Sequence, residues 1–173
     1  MDQQQLNDYF RNIWKPQMSA YKYSGFSLVD EIKDDEWVID VGCHKNLFKG
    51  KIKNLVGIDP ACDEADVKTT IEDFNTNHKF DVAFCLGSVN FGSEETIVNQ
   101  ISKIVSFLKS KSRIYWRCNP GRKDHKNIQC QNIDFYNWTA SKHLRLSDHF
   151  GYEIKQFKQD SNNRLFVEWI KNI

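Results

Sequence analysis

The sequence has no run approaching the roughly 18 consecutive apolar residues that cross a bilayer, and its first ten residues, MDQQQLNDYF, lack the basic start and apolar core of a secretory leader. Both absences lead us to expect a cytoplasmic protein with no membrane partner. Net charge is nearly absent too: 24 basic residues face 23 acidic ones, leaving +1. That balance argues against a chain that coats nucleic acid without discrimination. No CxxC pair exists, and the five cysteines (43, 62, 85, 118 and 130) are odd in number and irregularly spaced. They suit reduced thiols better than a disulfide framework. A zinc site assembled from Cys118, His125, Cys130 and His143 would match no structural zinc spacing, so no metal is expected.

What remains is ordinary globular composition, with 40% hydrophobic and 27% charged residues in 173. A chain of this length buries a core without staples, and we expect one domain spanning 1–173, with N-terminal helices over 1–35 and an α/β core over 36–173. Residues 3–14 and about 17–33 read as aromatic-rich helices, with Pro16 in the first turn of the second. Apolar runs at EWVIDVG, NLVGID, FDVAFCLG and RIYWRCNPG read as buried parallel strands. A short helix is expected over 45–52, and residues 64–74 offer at most one poor strand. Ser93 caps a helix whose Ile97, Val98, Ile101, Ile104, Val105 and Leu108 share one face. A further helix covers about 139–149 and closes at Gly151. YEIKQFKQ and RLFVEWIK form a closing antiparallel hairpin, expected to put one antiparallel strand at the end of the sheet order. The fold class is therefore α/β: a doubly wound, mostly parallel sheet with N-terminal helices and a C-terminal hairpin. Ligands of such sheets sit beyond the carboxyl ends of the strands, so the turns after 42, 59, 87 and 118 should share a rim.

Asp59 follows Asp40 by 19 residues at the end of the second strand, the spacing at which dinucleotide folds place a ribose-binding carboxylate. Its alternative reading is a turn former before Pro60. Asp40 either orders the glycine turn near a cationic part of a ligand or is a buried carboxylate accepting backbone hydrogens. Gly42 permits a tight turn. Arg117 falls at the end of a strand within a basic segment, residues 109–126, whose seven cations face the single acid Asp124. Arg117, Asn119, His125 and Trp138, with Asn90, are the substrate-side candidates. They suit a phosphorylated or carboxylated small molecule or a nucleic-acid end, against the alternative of a solvated loop. Tyr9, Trp14, Tyr21 and Tyr23 read first as packing against the sheet and second as a lid.

VIDVGC, VGIDPA, EDF and FDVAFCLGSVNF, in that order and spacing, resemble the motifs of the class I S-adenosylmethionine-dependent methyltransferases, a Rossmann-like family. The resemblance covers roughly 36–171. It implies S-adenosylmethionine as cofactor, held around Asp40, Gly42, His44, Asp59 and Pro60, with Glu72, Asp73 and Phe74 at adenine and Leu86, Gly87 and Ser88 under the sulfonium. The family's second glycine is replaced by His44. His and Asn enter positive φ more readily than most residues, so the turn is expected to survive. A solvent-facing His44 is the plainer reading, a ligand contact the other. The fourth motif lacks the Asn/Asp-Pro-Pro-aromatic pattern of exocyclic-amine DNA methylases, and no proline-cysteine nucleophile pair follows a strand. The implied function is methyl transfer to a small anionic acceptor; the rivals are a non-catalytic module binding the cofactor or its product, and a nucleic-acid methylase.

Overall fold

The computed structural model describes residues 3–15, 19, 21–121, 133, 135–160 and 163–172. Helix α1 (Gln3–Asn12) comes first, then a short 3₁₀ helix, Phe26–Glu31. Strands β1 (Trp37–Val41), β2 (Asn54–Ile58) and β3 (Phe80–Cys85) follow, each almost wholly buried. Helix α2 (Glu94–Ser106) leads into β4 (Leu108–Cys118), and α3 (Ala140–His149) precedes the hairpin strands β5 (Glu153–Gln159) and β6 (Leu165–Lys171). These strands form one sheet ordered β2-β1-β3-β4-β6-β5. The first four are mutually parallel, and β6 runs antiparallel to both β4 and β5. The antiparallel strand is thus inserted within the order, not at its end, and β5 takes the edge. The seven-rung β4–β6 ladder makes the choice intelligible: β6 is apolar on both faces, whereas β5 alternates with lysines and tolerates the edge.

Side chains decide what covers each face. Ser93 accepts the Thr96 N–H and starts α2, whose Ile97, Ile101 and Ile104 pack on one face beside Leu146 of α3. Thr139 caps α3 in the same way, through Lys142 N–H. Among the described residues the other face is covered by Leu28 of the 3₁₀ helix and by Phe48 and Ile52 from the β1–β2 connection. Two helical expectations fail here. Residues 45–52 form successive turns because His44 (φ 49°), Asn46 (φ 52°) and Gly50 (φ 77°) adopt left-handed backbone, which a right-handed helix excludes. Within the helix expected over about 17–33, residues 22–31 form turns and the 3₁₀ segment, with Ser24 and Gly25 interrupting it; residues 16–18 and 20 lie outside the described residues. The poor strand of 64–74 amounts to an isolated bridge, Ile58 to Val67.

A third apolar cluster lies apart from the sheet. Tyr9 of α1 packs with Ile133 and Phe135, and Leu6, Phe10, Trp14 and Phe91 join them. Among the described residues no helix is long and apolar enough to cross a membrane.

Candidate functional site

The carboxyl ends of β1 to β4 open into a cavity of about 950 Å³, roofed by α1. That volume is at the upper end of the roughly 300–1,000 Å³ of small-molecule sites. The turns after 42, 59, 87 and 118 do share this rim, since Gly42, Asp59, Gly87 and Asn119 all line it.

The first turn is set by close approach. Gly42 has φ 71°, and a Cβ there would lie 2.4 Å from the Ser88 Cβ, so only glycine lets the β1 and β3 turns meet. Among the described residues, Gly87 (φ 114°) has nothing within 4 Å of where its Cβ would be. Gly42 and Cys43 donate to the Ile58 carbonyl at 2.8 and 3.0 Å, tying the first turn to the end of β2.

Asp59 is the hub. Its Oδ1 accepts the Ala61 and Cys62 N–H groups at 2.7 and 3.0 Å, and its Oδ2 accepts the His44 N–H at 2.9 Å. A carboxylate has about four acceptor positions, so three backbone bonds leave room for roughly one more. The turn-forming reading is thus met, and the same side chain lines the cavity.

His44 is 6% exposed, contrary to the solvent-facing reading. Its Nε2 lies 2.8 Å from the Phe10 carbonyl and Trp14 meets its ring edge-on at 5.0 Å, so the side chain docks α1 onto the glycine turn. Asp40 is buried on β1 and faces a separate cavity of about 40 Å³ beneath the turn, which Ser24, His44 and Arg117 also line. Burial, then the nearby Asp59 charge, pushes its carboxyl up to about 7.

The remaining candidates separate. Pro60, Glu72, Leu86, Ser88, Asn90 and Arg117 line the large cavity. Asp73 and Phe74 do not: the Asp73 carboxylate accepts the Thr70 hydroxyl on the surface, and Phe74 packs against Phe107 in the core. Trp138 also lies off the cavity, fully buried, its indole N–H donating to the Val89 carbonyl. His125 lies outside the described residues. Arg117 is buried in an ion pair, Nε to Asp160 Oδ2 at 3.0 Å, with Tyr21 4.0 Å over its guanidinium. Asn90 accepts the Asn119 N–H through its side chain, bracing the β3 turn against the β4 turn.

Sequence reasoning missed Thr96 and Gln100, both on the cavity wall. Their i, i+4 spacing beside the apolar stripe of α2 was the available signal. Gln100 donates to Glu72 at 2.6 Å, both on the cavity wall. Lys142, also on the wall, lies 3.9 Å over the Tyr136 ring. The N-terminal aromatics divide between both readings: Tyr23 stacks on Phe166 against the sheet, while Tyr9 and Trp14 belong to the roof.

No family model matches the sequence, and no curated protein matches it. Solved structures do. The chain superposes on the 1,6-didemethyltoxoflavin N1-methyltransferase of Burkholderia thailandensis with TM-score 0.74 at 12% identity, covering 99% of this chain and 89% of that one. For the magnesium protoporphyrin IX methyltransferase of Synechocystis PCC 6803, TM-score is 0.67 at 13% identity, covering 99% and 98%. An S-adenosylmethionine-dependent methyltransferase of Clostridium acetobutylicum gives 0.62 at 13%, covering 97% of each. With its four parallel strands, inserted antiparallel strand and ligand-sized rim cavity, the chain has the Rossmann-like fold of the class I S-adenosylmethionine-dependent methyltransferases.

Proposed function

We propose that this chain is a single-domain S-adenosylmethionine-dependent methyltransferase acting on a small anionic acceptor. The observation that carries the reading is the rim cavity, where Gly42, Asp59 and Gly87 converge at the strand ends. The residues present fit the donor. The open space beside Gly87 admits close approach, Asp59 keeps about one acceptor position for a ribose hydroxyl, and Glu72 with Gln100 offers polar groups for the base. When bound, S-adenosylmethionine supplies a methyl group already activated on a cationic sulfur. The protein's part is then to bind, orient and exclude water, which needs no strong acid or base. The roof formed by α1 serves the last of these.

The acceptor side is Lys142 and Arg164 beside the Arg117–Asp160 pair, among Asn90, Asn119 and aromatic walls. Such a lining favours an anion with some apolar surface. It accords with solved neighbours whose names give small-molecule substrates, a toxoflavin precursor and magnesium protoporphyrin. A nucleic acid is less well supported, because three of the four described cations of the basic segment pair internally. Lys109 pairs with Asp81, Arg113 with Glu36 and Arg117 with Asp160.

Calorimetry with S-adenosylhomocysteine in the presence of a chelator tests the donor. Binding is expected, and no heat or thermal shift at millimolar ligand overturns the reading. With donor present, methyl transfer to a matched panel of anionic and neutral small molecules tests the acceptor. Preference for the neutral members refutes the anionic reading and leaves the donor reading standing.

A further inference from the structure

Helix α1 is fastened to three turns of the rim, and two of the fastenings meet at one carboxylate. Asp59 Oδ2 accepts the His44 N–H, and the same residue's ring Nε2 bonds the Phe10 carbonyl at 2.8 Å. A carbonyl only accepts, so Nε2 carries the proton in that contact. Asp59 Oδ1 accepts the Ala61 N–H, and the Ala61 carbonyl accepts from Arg11 Nε at 2.8 Å. Each oxygen of Asp59 is therefore one residue away from α1. The third fastening is Phe10 against Phe91, ring centroids 5.6 Å apart, in the turn after β3.

The two polar routes have different chemistry at their ends. His44 lines the cavity itself, whereas Arg11 is an exposed residue outside the described cavity wall. By contact Arg11 reaches the site only through α1 or through Ala61, while its charge acts through space as well. The apolar roof cluster is small and separate from the sheet core, so α1 depends on these rim contacts more than a core helix would.

We propose that Asp59 and α1 form one ligand-responsive unit: a hydroxyl that bonds the Asp59 carboxylate tightens α1 over the cavity through His44–Phe10 and Ala61–Arg11. The inference rests on the donor reading, with the ribose of S-adenosylmethionine as the source of that hydroxyl. A fourth partner fixes the carboxylate, which fixes the peptides of His44 and Ala61, which orders the two groups that hold α1. Ordering shared in this way couples the two events without a large displacement. Coupling of binding energies is reciprocal, so loosening α1 must weaken the ligand by the factor through which the ligand steadies α1. Arg11 is a positioning residue in this scheme and touches no reacting atom.

The test is Arg11→Ala, a surface change that leaves the sheet core intact, read by amide hydrogen exchange and calorimetry with S-adenosylhomocysteine. In the native protein the ligand should slow exchange across residues 6–14. In the variant, exchange there should be faster without ligand, and affinity should fall roughly three- to tenfold, the equivalent of one hydrogen bond. Arg11→Gln, which keeps an N–H donor without the charge, should recover part of both effects. Native protein that binds the ligand, with a variant that binds it equally well, overturns the inference alone. Binding that leaves exchange over residues 6–14 unchanged in the native protein overturns it as well. Native protein that does not bind the ligand overturns the donor reading and the inference with it.

Discussion

The rim and the box of aromatic rings behind α3 bury polar groups by opposite means. At the rim, Asp59 is 6% exposed and is met by three backbone donors. Behind α3, His143 is fully buried among Trp116, Trp138 and Trp169, stacked 4.3 Å over Trp138, and neither ring nitrogen has a hydrogen-bond partner among the described residues. The rim holds a charge by surrounding it with oriented peptides, whereas the box excludes charge altogether. Burial there depresses the His143 pKa to about 3. The contrast separates two uses of a buried polar residue. One organises a site and keeps spare bonding capacity; the other fills space as a flat ring and contributes a liability in acid.

The largest test of that contrast removes the hub. Asp59→Ala strips the acceptor from three backbone N–H groups and should cost about 3–5 kcal/mol of stability, since bonds to a charged group are worth roughly 1.5–3 each and do not add fully. Chemical denaturation measures it, and a loss below about 1 kcal/mol would show the turn is held by other contacts. Asp59→Asn should lose less, because its amide oxygen still accepts. Where the variant folds, S-adenosylhomocysteine affinity should also fall by about tenfold or more, the loss of one charge-assisted hydroxyl bond.

A smaller and opposite effect is expected in the box. His143→Leu removes two desolvated nitrogens at similar volume and should gain about 1 kcal/mol near pH 7. Its clearer signature is pH dependence. Folded His143 resists protonation until about pH 3, while the unfolded residue protonates near 6.5. The unfolded state therefore binds the extra proton first, and stability present above pH 6.5 is lost as pH falls from 6.5 toward 3. Unfolding curves across that window should be shallower in pH for the leucine variant than for the native chain. Parallel curves would mean that the native ring finds a partner when charged.

The smallest expected effect lies one residue away. Leu144 is 60% exposed on the outer face of α3, and Leu144→Lys should change stability by no more than about 0.5 kcal/mol. A larger loss would show that the outer face of α3 is covered in the working protein, and that the box is not what holds the helix.

Much of this was legible beforehand where chemistry is local. Ser93 before a helical stripe, Gly151 after one, and the apolar runs of β1, β2 and β3 appear where the residues indicate, although Leu108, read as the end of that stripe, starts β4 instead. The left-handed turn at His44 and Asn46 also follows from residue type. The short helix read over 45–52 was lost to that same turn, a conflict visible only once the φ angles were known. Whether Glu72, Asp73 and Phe74 would all reach a ligand was not legible. They are consecutive, yet Glu72 reaches the cavity, Asp73 the surface and Phe74 the core.

The sequence by itself determined the class of fold, the positions of the rim turns and the glycine that lets two of them touch, because those depend on apolar periodicity and backbone freedom within a few residues. Only the tertiary structure decided that His44 would be buried against α1, that Trp138 would leave the site for the aromatic box, and that Asp59 would join His44, Ala61 and Cys62. The reason is physical: a side chain's partners are set by which distant strand ends are brought side by side. Residue 44 and residue 59 meet only because β1 and β2 are paired in parallel and end together at the rim.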